Sequence, residues 1–255
     1  MAAFLNRSTC VMLVSAIALT ALTFLPATRD FTVFRIIALG MHVGDTLFHE
    51  IGHSLFHCLF GQPAVPMIFT VFGADQAGGM SMTFGERSHL FQFISLAAFA
   101  YGCKWLHDGD SYLFIPACVF GLVITAVSFT TYTQLIVAFM GHGTSVAMGG
   151  FFLYRAIIYL DARGDTERWL NAFFGFYLIG FNFNFAYGLA FDAAVRSEYS
   201  NLTMFGAGHH DLVMMTEELP HLSVEGAAIF MMAYCIAVCA ISIFVSYYHR
   251  NDYEY

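Results

Sequence analysis

The stretch SYLFIPACVFGLVITAVSFTTYTQLIVAFMGHGTSVAMGGFFLY, residues 111–154, contains no Asp, Glu, Lys or Arg. As continuous helix its 44 residues would rise ~66 Å, at about 1.5 Å per residue. A bilayer's hydrocarbon core is only ~30 Å thick, so the stretch predicts two crossings joined near Thr130-Thr131-Tyr132-Thr133-Gln134. The fold class it points to is an all-α polytopic membrane protein.

Outward from this stretch, residues 8–28, 88–103, 169–191 and 226–248 repeat the pattern, and 31–60 is a further apolar stretch that contains Arg35, Asp45 and Glu50. Together they predict about seven transmembrane helices. Composition agrees: 58% of the chain is hydrophobic and 11% charged, against the roughly 25% charged residues of an ordinary soluble domain. Mean hydropathy is +0.67. Soluble and disordered classes are excluded by these values. The 29 Phe and 13 Tyr suit lipid-facing surfaces and interfacial belts, so the bilayer itself is an expected partner. A net charge of −8 without a basic run argues against nucleic acid. Six cysteines lie in apolar segments without a CxxC pair, which predicts buried small hydrophobes and no thiolate metal site.

The chain reads as a single integral membrane domain, 1–255, with a core over 31–248 and the helix 8–28 as an added anchor. Leu25-Pro26-Ala27 resembles a signal cleavage region, yet a retained anchor is the expected reading. Three polar segments interrupt the apolar ones. Residues 62–87, with Pro63, Pro66 and a glycine-rich run from Gly73 to Gly79, predict a short extended hairpin after the second helix. Residues 161–168 form a charged turn, and 192–225 form the longest polar loop. The distribution of Arg and Lys places the 161–168 turn in the cytoplasm and the long loop outside.

Chemistry concentrates in the second apolar stretch, which reads Asp45-Thr-Leu-Phe-His49-Glu50-Ile-Gly-His53-Ser-Leu-Phe-His57. His49, Glu50 and His53 form an HExxH motif. Residues four apart share one face of a helix, so both imidazoles can ligate one Zn²⁺. Glu50 then flanks the ion as general base. An ionisable residue inside a membrane span is costly and points to function. Here His42, Asp45, His49, His53 and His57 form one stripe at helical spacing, with Asp45 placed to hydrogen-bond the outer nitrogen of His49. Two imidazoles already satisfy the motif, so His42 and His57 read as packing residues.

The apolar setting of His49-Glu-Ile-Gly-His53, with Gly61 soon after, resembles the site-2 protease family of intramembrane zinc metalloproteases. The run from Gly73 to Phe84 looks like that family's glycine-rich hairpin. His210-Asp211-Leu-Val-Met-Met-Thr-Glu-Glu-Leu219-Pro220 is similar to a segment of one bacterial branch. The resemblance touches about half of the chain, and the HExxH is its specific part. It implies Zn²⁺ as cofactor, His49 and His53 as ligands, Glu50 as catalytic base and regulated intramembrane proteolysis as the setting. It also implies a multi-pass protein of a bacterial inner membrane. The family takes its third ligand from an Asn-Pro…Asp-Gly string, which this chain lacks. Asp211 fits that role best, and Asp192, spaced similarly from Asn184, is the alternative.

The expected function is therefore a zinc metalloendopeptidase, a hydrolase cleaving a transmembrane or membrane-proximal peptide bond. Its partners would be a membrane-protein or peptide substrate and a larger membrane complex. The alternative is a non-catalytic membrane subunit or assembly factor that retains a protease-like fold. His142, within Gly141-His142-Gly143, reads either as a site residue or as a packed histidine. Asn182 and Asn184 read as substrate-backbone partners or as glue between helices. His209 and His210 read as a solvated turn before Asp211, with extra ligands as the alternative.

Overall fold

The computed structural model describes residues 7–28, 30–69, 78–108, 114–158, 164–201 and 210–253. These are mostly helical. In chain order they give α1 (Arg7–Phe24), a short 3₁₀ turn, α2 (Thr32–Leu59), β1 (Ala64–Phe69), β2 (Gly78–Thr83), α3 (His89–Asp108), α4 (Phe114–Val127) and α5 (Thr133–Ile158). Then follow α6 (Asp165–Phe191), α7 (Ala193–Asn201), α8 (Asp211–Glu218) and α9 (Val224–Tyr253).

Beside an apolar interior, the fold buries polar side chains and leaves large apolar ones exposed. Asp45, Glu50, His53, Ser145, Arg168 and Asn182 are buried, while Phe93, Trp105, Leu122 and Phe129 are each more than 70% exposed. Apolar exposure on that scale is consistent with a membrane environment. Among the described residues, three helices are long and apolar enough to cross a membrane: α5, α6 and the Val224–His249 part of α9. The expected seven crossings are not supported by this count. Helix α4 has 14 residues, or ~21 Å of rise, and the apolar part of α1, Ser8–Phe24, is likewise short. Helices α2 and α3 carry too many polar side chains to meet the same measure. The chain does break between α4 and α5 where a hairpin was expected, but α4 packs chiefly against α3.

Helix α5 is the hub, packing against α2, α6, α8 and α9. Glycine permits the close approaches. A Cβ on Gly149 would stand 3.0 Å from the Gly175 carbonyl of α6, and one on Gly150 would stand 2.5 Å from Val238 of α9. Small residues at helix contacts are how membrane helices gain packing when lipid supplies no hydrophobic drive between them. One apolar core lies among α5, α6, α8 and α9, around Val146, Leu153, Leu189, Leu212 and Met231. A second joins α1 to α6 through Met12, Ala16, Phe173 and Tyr177.

Helix α2 ends where Gly61 takes φ 91°, a left-handed conformation that suits glycine. The Gln62 amide closes the cap on the His57 carbonyl at 2.9 Å. The chain then enters the antiparallel hairpin, in register Ala64↔Thr83 through Phe69↔Gly78. The expected hairpin after the second helix is thus present. The tip, including Gly73, lies outside the described residues.

Candidate metal centre

Helix α2 carries His49 and His53 one turn apart, with their Nε2 atoms 3.0 Å from each other. Asp211, the first residue of α8, brings Oδ2 to 2.9 Å from His49 Nε2 and 3.0 Å from His53 Nε2. These three atoms form a nearly equilateral triangle drawn from two helices far apart in the sequence. Asp192, the alternative third ligand, is exposed and caps α7, accepting the Ala194 amide at 2.9 Å.

The donor set fits a divalent ion. His53 Nδ1–H donates to the Val137 carbonyl at 2.8 Å, so in the neutral ring Nε2 is bare. That bare nitrogen faces another acceptor, the Asp211 carboxylate. Two acceptors about 3 Å apart need positive charge between them, which a divalent ion, or a proton on the ring, supplies. Zinc bonds of ~2.0–2.1 Å at tetrahedral angles separate neighbouring ligand atoms by ~3.3 Å, within a few tenths of the spacing seen. In the imidazolium form the same rings supply that charge themselves: burial raises the Asp211 carboxyl, but His53 and His49 beside it hold it well below the ordinary carboxylate range.

Glu50 is buried beside the same two imidazoles and Asp211. The hairpin covers it. A Cβ on Gly79 of β2 would lie 2.8 Å from Glu50 Oε1, so only glycine lets the strand pass this close. Ser81 fixes the strand to α2 through a 2.8 Å hydrogen bond with Ser54. On the other side, a Cβ on Gly141 of α5 would collide with the His53 ring and lie 2.8 Å from His49 Cε1. The motif thus sits in a slot floored by α5 and roofed by β2.

The remaining candidates fall into two groups. His142 of α5 joins the cluster, its Nε2 lying 3.9 Å from Asp211 Oδ2. Its ring packs edge-on to His49 at 4.5 Å and stacks on Phe185 at 5.0 Å. Asn182, wholly buried, bridges His142 and Asp45. The expectation that Asp45 bonds His49 is corrected here. The Asp45 carboxylate is taken instead by Ser145 of α5 and Asn182 of α6, two donors from the helices that enclose it. Asn184 is exposed on α6, and His42 packs against Phe181. His57 lines a separate cavity of about 230 Å³ with Gln62, Arg87 and Gln134. His210 stacks on Tyr199 at 4.5 Å. The Tyr199 hydroxyl in turn accepts the Leu212 amide at 3.3 Å, seating the start of α8. His209 lies outside the described residues.

His142 was open to either reading because its part depends on how α5 is rotated against α2, which no local spacing encodes. The only sequence signal was its isolation between two glycines in an apolar stretch. Comparison with known proteins returns no match: no family model, no curated protein and no solved structure is significantly similar to this chain.

Proposed function

We propose that this chain is an intramembrane zinc endopeptidase that cleaves a transmembrane or membrane-proximal segment of another polypeptide. The observation that carries the proposal is the 2.9–3.0 Å triangle of His49, His53 and Asp211 with Glu50 beside it. Two imidazoles and one carboxylate are a common hydrolytic donor set. Zinc held there supplies Lewis-acid polarisation and makes water acidic enough to attack a peptide carbonyl near neutral pH. The chain's own work is positional and acid–base. Val137 locks the His53 ring so that Nε2 faces the site. Glu50 accepts a proton from the attacking water on its carboxylate and returns it to the departing amide nitrogen. The β-hairpin over Glu50 keeps bulk water from the reacting bond.

The test is Glu50→Gln expressed with a single-span membrane reporter. Cleavage should fall by about 10²–10⁴ while zinc stays bound at wild-type stoichiometry. Wild-type turnover by this variant overturns the reading.

A second reading, a membrane subunit or assembly factor that holds metal without catalysis, draws on one observation. His142 stands near enough to be a fourth protein ligand, and four protein ligands close a zinc site.

A further inference from the structure

Three of the cluster's ligand atoms are tightly spaced, and a fourth stands off. His49, His142 and Asp211 each offer a ligand atom within 4.8 Å of the others. The His142 Nε2 to Asp211 Oδ2 distance is 3.9 Å, against 2.9 and 3.0 Å for His49 and His53. That spacing exceeds the ~3.3 Å of a tetrahedral edge. A small ring movement would close it.

The lone pair needed for ligation is set by a buried hydrogen-bond chain. Asn182 Nδ2 donates to Asp45 Oδ1 at 2.8 Å and to the Leu178 carbonyl at 2.9 Å. The amide nitrogen must therefore occupy that side, which leaves Oδ1 facing His142. Oδ1 only accepts, so His142 Nδ1, 2.7 Å away, carries the hydrogen. In the neutral ring Nε2 is then bare and aimed at the cluster. Asp45 also accepts from Ser145 Oγ, which anchors the far end of the chain on α5. Such outer hydrogen bonds fix the tautomer and ring orientation of metal-ligating histidines. The stack on Phe185 restrains the plane of the His142 ring.

We propose that His142 is a fourth, displaceable ligand of the ion held by His49, His53 and Asp211, with Asn182 and Asp45 as its positioning residues. At rest Nε2 completes the coordination. A substrate or water oxygen takes its place when the ring swings out, exchanging one lone-pair donor for another with no change of redox state. The proposal rests on the metal-site reading above and adds a resting, self-blocked form to it.

Cobalt(II) added to the metal-stripped full-length protein in detergent provides the test. Wild type should bind one Co²⁺ per chain with intense tetrahedral visible bands. His142→Ala should still bind Co²⁺, at least about tenfold more weakly and with a changed spectrum that free imidazole restores. His142→Cys should add a thiolate-to-cobalt charge-transfer band, which a merely structural residue would not produce. Asn182→Ala should weaken binding by roughly 10–100-fold, the usual effect of removing an outer-sphere partner. A small hydroxamate should shift the wild-type spectrum while cobalt stays bound, as a displaceable ligand requires. If wild type binds no cobalt, or His49→Ala binds it normally, the metal-site reading itself fails. If wild type binds but His142→Ala matches it in spectrum and affinity, and His142→Cys shows no new band, only the fourth-ligand proposal fails. A wild-type spectrum that hydroxamate cannot move overturns displaceability and favours the closed, non-catalytic reading.

Discussion

At the scale of single residues, the division of labour between neighbours on α2 is sharp. His49 and His53 point ring nitrogens at Asp211, whereas His57, one turn further, faces a separate cavity. Alanine at position 49, 53 or 211 should therefore strip most of the zinc, and His57→Ala or Asp192→Asn should leave it in place. Elemental analysis of the purified variants checks this, and equal losses at 49, 53 and 57 would mean the ligand set is misread. Glu50→Gln should separate chemistry from metal. Turnover should fall by about 10²–10⁴, the usual share of a positioned acid–base group, with zinc unchanged. The motif was legible in the sequence because a spacing of four is a local property of helix geometry. Asp211 was legible only through a loose likeness of its flanking segment. The Asp45 bonds were misjudged because its donors, Ser145 and Asn182, lie 100 and 137 residues away.

At the scale of elements, the site depends on how closely helices and strands approach. Gly141→Ala should place a methyl group into the His53 ring and against His49. Such overpacking typically costs ~1–3 kcal/mol. The expected outcome is loss of bound zinc with helix content retained, read by far-ultraviolet circular dichroism alongside metal analysis. Retained zinc would show that α5 can move aside. Most element boundaries were readable from apolar runs, charge-free or nearly so, because desolvation disfavours charge along a buried or lipid-facing helix. The 169–191 stretch became Asp165–Phe191 and the 31–60 stretch became Thr32–Leu59. Crossing capacity was not readable in the same way. Hydrophobicity marks what avoids water, but a span also needs length, and α4 stops at Val127.

At the scale of the whole molecule, the first helix is fastened to the body through a buried cation. Arg168, 1% exposed, donates to the Ala156 carbonyl at 2.9 Å and to Thr9 Oγ1 of α1 at 3.3 Å. Trp169 adds a 2.9 Å bond to Ser15 of the same helix. Arg168→Met should leave buried acceptors unsatisfied at a cost of ~1–3 kcal/mol. A lower melting temperature in detergent, with zinc content unchanged, is the expected result. An unaltered melt would show that apolar packing alone holds α1. The Asp211 carboxylate has a different consequence, one of timing. It lies 158 residues after His53. A ribosome adding ~5–20 residues per second leaves roughly 8–30 s in which the histidine pair exists without its carboxylate. During that interval the nascent chain would present only two of the three donors, so tight capture of an ion would wait until α8 has folded back. Any metal-dependent activity of the site would in this way be withheld until the fold is complete.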